Sequence, residues 1–179
     1  FLWAREEILE EIPPFLGGGE MINEVFEDKS TWADLPHKFE AGTPAIGEAI
    51  GMGTALKYLK SIGLKEIHNY EKELTKYLFE KLEEIDNLNI LGPSPLIQPD
   101  RGPLATFYIK GIHSNDVAEL LDNSNICIRS GHHCCQPLHR FYGIKSTARA
   151  SLSFTSTPSE IDSLTEELKS VISFLKKNS

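Results

Sequence analysis

The sequence predicts an α+β fold, a small sheet with its helices layered on one face. Three observations carry that reading. Apolar residues recur in steps of three and four at Ile67, Tyr70, Leu74, Tyr77, Leu78, Leu82 and Ile85, and again at Ile161, Leu164, Leu168, Val171, Ile172 and Leu175, which marks two amphipathic helices. The runs Leu104–Ile109 and Thr147–Phe154 alternate as strands do. From about residue 45 the order is two helices, two strands, helix, strand, strand, helix, with no internal repeat or low-complexity tract.

The elements follow in order. Phe1-Leu-Trp-Ala-Arg5 reads as a buried strand entered midway, and a chain opening on Phe instead of Met is expected to be a fragment. Residues 5–12 form a short helix that Pro13-Pro14 ends, because proline lacks a donor and restricts the residue before it. Gly17-Gly-Gly19 makes a turn, and residues 20–38 suggest a ribbon of two short strands around Asp28-Lys29-Ser30. Thr43 as cap and Pro44 in the first turn start a helix that runs to about Ile62. The free N–H groups at its start could take a phosphate at Gly42-Thr43, or Thr43 could be an ordinary cap. Strands are expected at Asn89–Leu91, Leu104–Ile109 and Ile126–Ser130. A helix capped by Ser114 points Val117, Leu120 and Leu121 inward. Thr157-Pro-Ser-Glu160 is a capping box with proline at the first helical position, and it launches the last helix.

Composition bounds the function. The 179 residues are 40% hydrophobic and 25% charged, the profile of a soluble globular chain, with a formal charge of -8 that argues against nucleic acid or an anionic membrane as partner. No apolar run is long enough to cross a bilayer. Three cysteines, two of them adjacent, make a poor disulfide framework and suit a reducing compartment. Cys127, inside a strand-like run, reads as a small packed side chain.

The chemistry concentrates in Arg129-Ser-Gly-His-His-Cys-Cys-Gln-Pro-Leu-His139. A thiol attacks as thiolate, a form that cationic neighbours favour, and Arg129, His132 and His133 stand ready to supply that field to Cys134. Gly131 permits positive φ, and Pro137 with Leu138 starts a short helix. Zinc ligation fits poorly, since ligands for one tetrahedral ion are usually spaced by two to four residues and not placed in a row. A solvated polar loop is the bland alternative. His139 reads as a helix-surface residue, and His132 and His133 as groups that tune the thiolate or shuttle a proton. Arg149, on a strand amid small residues, is either half of a structural ion pair or the fork that holds a substrate carboxylate.

Taken together, Gly17-Gly-Gly-Glu-Met-Ile22, Thr31-Trp-Ala-Asp-Leu35, Phe39-Glu-Ala-Gly-Thr-Pro44, Arg129-Ser-Gly-His-His-Cys134 and Arg149-Ala-Ser-Leu152 resemble the C-terminal part of a Suf-type, group II cysteine desulfurase, nearly end to end. Such enzymes are fold-type I pyridoxal 5'-phosphate (PLP) proteins of the class V aminotransferase superfamily. The resemblance implies that residues 1–44 are the end of the PLP-binding large domain with a connecting ribbon, and 45–179 the C-terminal small domain. It implies that Cys134 takes sulfur from a cysteine–cofactor adduct as a persulfide, leaving alanine, with selenocysteine as a second possible substrate. Arg149 would clamp the substrate carboxylate, Arg129 would line the same pocket, and Gly42 and Thr43 would reach the cofactor of the opposite subunit in a homodimer. A SufE- or SufU-like acceptor would take the sulfur for iron–sulfur cluster assembly, in cytoplasm or plastid stroma.

Three departures accompany the resemblance, one of them Ser156 where relatives often have asparagine, a change without a physical account. The family's Schiff-base lysine has no counterpart in any motif here, so the chain alone is expected neither to hold the cofactor stably nor to turn over. A non-catalytic module for dimerisation or acceptor binding is therefore the alternative. Cys135 fills a position where relatives often carry a small residue, and it is expected to be a spectator.

Overall fold

The computed structural model describes residues 1–177. The chain divides into two compact units, Phe1–Ser61 and the part from Ile62 onward.

In the first unit, α1 (Glu6–Glu11) ends before Pro13-Pro14, and β1 (Ile22–Val25) pairs antiparallel with β2 (Ser30–Trp32), the expected ribbon. Lys38 is buried and its Nζ donates to the carbonyls of Leu9 and Glu10, 2.9 Å each, neutralising the negative end of α1. The backbone N–H of Gly42 donates to the Gly19 carbonyl at 2.9 Å, which docks the glycine turn on the segment before α2 (Ile46–Ile62). That helix starts two residues after Pro44 and carries exposed Ile46, Ile50, Met52 and Leu56. The strand expected at residues 1–5 is not formed. No described strand pairs with this segment, so no ladder satisfies its backbone, and Phe1 and Trp3 are 99% and 81% exposed.

The second unit is the predicted sheet with one helical layer. Its strands β3 (Leu88–Leu91), β4 (Leu104–Ile109), β5 (Arg129–Gly131) and β6 (Thr147–Ser151) lie in the order β3-β4-β6-β5, every neighbour antiparallel. Period-two alternation sorts the side chains. Ala105, Phe107 and Ile109 of β4 and Ala148 and Ala150 of β6 are buried with the apolar faces of α3 (Leu64–Glu83), α4 (Ser114–Asp122) and α6 (Pro158–Lys177). Leu74, Leu78 and Leu82 of α3 meet Ile161, Leu168 and Ile172 of α6 in that core. Tyr77 Oη donates to Asp162 Oδ1 at 2.6 Å, and Lys81 Nζ stands 3.2 Å from the same atom. These two donors, Tyr77 first, hold the Asp162 carboxyl below the usual range.

Three expectations change here, the first being that the strand expected over Thr147–Phe154 ends at Ser151. His113, not Ser114, caps α4: its side chain accepts from the Asn115 N–H at 3.2 Å, while Ser114 is the first helical residue and buried. The strand expected at Ile126–Ser130 forms instead at Arg129–Gly131, where the chain pairs with Thr147 to Arg149 of β6.

The opposite face of the sheet positions the site. The pairs Leu91↔Thr106, Thr106↔Arg149 and Arg149↔Arg129 form one row across all four strands. Two arginines are thus in register on adjacent strands.

Candidate active site

Between β5 and β6 the chain forms a turn and then α5 (Gln136–Tyr142), which has Pro137 in its first turn and Gly143 at φ 66° as its left-handed C-cap. The Cys135 N–H donates to the His132 carbonyl at 2.9 Å, closing a four-residue turn. Its central residues, His133 and Cys134, have φ of 50° and 59°. Positive φ at both centres is the type I′ pattern, ordinarily filled by Gly, Asn or Asp. A histidine and a cysteine there are strained, and strain of this kind clusters at functional sites.

The turn presents the two adjacent thiols to different sides. Cys134 is exposed and lies in an open polar concavity with Arg129, His132, Gln136 and Arg140; its sulfur is 3.6 Å from Arg129 Nη2. Cys135 instead lines a pocket of about 320 Å³ with Leu104, Thr106, Leu138, Tyr142 and Arg149. Its thiol donates to the His132 carbonyl at 3.0 Å. His133 lines both spaces.

Both ring nitrogens of His133 and the Nε of Arg149 are buried without a hydrogen-bond partner among the described residues. Burial first, then the positive charges of Arg149 and Arg129, hold the His133 imidazole below the usual histidine range, against a weak opposite pull from the Thr147 backbone. The shift favours the neutral ring, in which one nitrogen donates and the other accepts. Neither Arg129 nor Arg149 has a carboxylate within ion-pair distance among the described residues. Like charges on directly opposed residues are unfavourable unless an anion lies between them, and a carboxylate matches the guanidinium fork.

The structure thus gathers Cys134, His132, His133, Arg129 and Arg149 around one turn. Gly42, at φ 77°, and Thr43, exposed, belong to the first unit. Two sequence readings are corrected. Cys127 is exposed, because the inward-pointing Ile126 and Ile128 on either side turn it outward; its sulfur meets Asp122 Oδ1 at 3.6 Å. His139 is not a surface residue but 5% exposed, bonded to the Cys135 carbonyl and to Thr147. The spacing of four between Cys135 and His139 along a helix was the available signal for that contact. Thr147 had none beyond lying two residues before Arg149. No described group of three or more His, Cys, Asp or Glu residues is arranged to hold a metal ion. No described helix is long and apolar enough to cross a membrane.

The profile of the class-V aminotransferase family matches residues 1–164. The chain belongs to that family. Among curated members it is 54% identical over 174 residues to a probable cysteine desulfurase of Synechocystis, and 47% identical over 173 residues to one of Streptomyces coelicolor. Each alignment takes in 97% of this chain and 41% of the relative, so the chain spans about two fifths of the length of the family members it matches. Solved structures agree with this fold-type I assignment. The cysteine desulfurase CsdA of Escherichia coli superposes with a TM-score of 0.86 at 30% identity, and the apo enzyme of Thermococcus onnurineus with 0.86 at 34%. Both cover 96% of this chain and 42% of the neighbour.

Proposed function

We propose that this chain is the C-terminal part of a PLP-dependent cysteine desulfurase that converts L-cysteine to L-alanine and keeps the sulfur as a persulfide on Cys134. The observation that carries the reading is the strained turn that exposes the Cys134 sulfur 3.6 Å from the Arg129 guanidinium, with Arg149 in register with Arg129 on the next strand. Arg149, whose Nε is buried without a partner among the described residues, suits the substrate α-carboxylate, with Arg129 on the neighbouring strand. The Cys134 thiolate attacks the substrate sulfur, forming the S–S bond as the Cβ–S bond breaks and leaves its electron pair on Cβ, which takes a proton to become the alanine methyl group; the contact with Arg129 suits both thiolate and persulfide anion. His133, which lines both spaces, would pass a proton in this reading, and exposed His132 borders the thiol.

The residues present fit the substrate and not the attachment of the cofactor. No lysine lines the Cys134 concavity or the Arg149 pocket, and Lys38 spends its donors on the end of α1. PLP supplies an electron sink; in our reading the rest of the longer protein holds it, helped by Gly42 and Thr43 of the partner subunit in a homodimer. The exposed apolar residues of α2 suit burial against such a surface. Exposed Cys134 suits hand-over of sulfur to a SufE- or SufU-like acceptor for iron–sulfur cluster assembly, in a reducing compartment such as cytoplasm or plastid stroma.

The test is the longer protein supplied with L-cysteine, with alanine and protein-bound persulfide measured. Cys134→Ser is expected to lower both by about 10³-fold or more, because it removes the nucleophile. Cys135→Ala, whose thiol faces the other side, is expected to retain persulfide. Persulfide lost in Cys135→Ala and kept in Cys134→Ser would overturn the assignment.

A further inference from the structure

His139 is the one buried histidine among the described residues, on a helix whose neighbouring residues Leu138, Arg140 and Phe141 are exposed. Its Nδ1 lies 3.1 Å from the Cys135 carbonyl oxygen and its Nε2 3.0 Å from Thr147 Oγ1. A carbonyl oxygen only accepts, so Nδ1 carries the hydrogen. In the neutral ring Nε2 then accepts from the Thr147 hydroxyl. Thr147 is fully buried, so no water competes for that bond.

Both legs of the thiol loop therefore end on one residue. Gly131, where the loop begins, pairs with Thr147 across the ladder, and Cys135, where the turn closes, reaches Thr147 through His139. Between those anchors stand the two left-handed residues, His133 and Cys134. A turn of that shape without glycine persists only where its surroundings over-determine it. We propose that His139, bonded to Thr147, is a positioning residue that locks the His132–Cys135 turn and so holds the Cys134 thiol against Arg129. The clamp reaches Cys135 through its backbone carbonyl, which Cys135→Ala retains. The inference rests on Cys134 being the reactive thiol of the proposed reaction.

The experiment uses the longer protein with His139→Leu, which fills the space without hydrogen bonds, His139→Asn, whose amide can replace the Nδ1–H donor, and Thr147→Val. Iodoacetamide alkylation of Cys134 is followed peptide by peptide, beside kcat and KM for L-cysteine. His139→Leu and Thr147→Val are expected to slow alkylation and kcat roughly tenfold, as a displaced nucleophile does, with KM held by the arginines. His139→Asn is expected to recover most of the rate. A wild-type alkylation rate in Thr147→Val or His139→Leu overturns the proposal, and so does His139→Asn as slow as His139→Leu. Should His139→Leu not fold, Thr147→Val against His139→Asn makes the same comparison. Nitrogen NMR of the ring is a further check, since a hydrogen on Nε2 in place of Nδ1 contradicts the clamp. A Cys134→Ser control that keeps full desulfurase activity would sink the underlying reading instead, which separates the two failures.

Discussion

Burial and two neighbouring guanidinium groups set the titration of His133, and the consequence for stability has a definite sign. An unfolded histidine protonates near pH 6.5. Above that pH the ring is neutral in both states and nothing is lost. Below it the unfolded chain takes up a proton that the folded ring resists, so stability falls as pH drops until the folded ring also protonates. The His133 NMR titration is expected to have its midpoint below about 6.5, and His133→Asn to flatten the fall of the urea midpoint between neutral and mildly acid pH. An unchanged slope in the variant would contradict this account. At the same scale, the grouping of Cys134, Arg129 and Arg149 was legible because residue type alone marks them. Which way a side chain faces was harder to read. Cys127 and His139 were each assigned to the wrong side, since a strand's phase reverses with every residue and a seven-residue helix is too short to show its stripe.

At the scale of elements, sequence and structure agree most closely where a cap and a long periodic face coincide, as in α6. Thr157 N–H donates to Glu160 Oε2 at 2.7 Å, and the Glu160 N–H returns to Thr157 Oγ1 at 3.4 Å, the reciprocal pair expected of the motif. Thr157→Ala is expected to cost about 1 kcal/mol in urea denaturation and Thr157→Ser almost nothing. A loss in Thr157→Ser equal to that in Thr157→Ala would mean that packing of the methyl group matters more than the cap. Where two polar residues adjoin, local chemistry alone decides less. Both His113 and Ser114 can accept from the first helical N–H groups, and the burial of Ser114 makes His113 the cap. The segment at residues 1–5 has the composition of a strand, yet no described strand pairs with it, and pairing is something no local pattern can reveal.

Across the whole molecule the two units differ in what holds them. Among the described residues, every buried apolar side chain except Met21 lies beyond residue 61, in the core that the four-stranded sheet shares with α3, α4 and α6. The first unit rests on a two-stranded ribbon, the Lys38 cap and backbone bonds such as Gly42 to Gly19, and a lone two-stranded ribbon is marginal in water. Opening free energy follows buried apolar contact, so protection should follow it too. Hydrogen exchange on this chain by itself is expected to be slow in β4, β6 and α6 and fast through α1, β1, β2 and α2. Equal protection in both units would mean that the first is held by more than its described contacts. If the homodimer reading is right, the longer protein should slow exchange chiefly in α2, whose Ile46, Ile50 and Leu56 are the exposed apolar residues an added surface would cover. The sheet that carries Arg129 and Arg149 should change little, because its core is already complete.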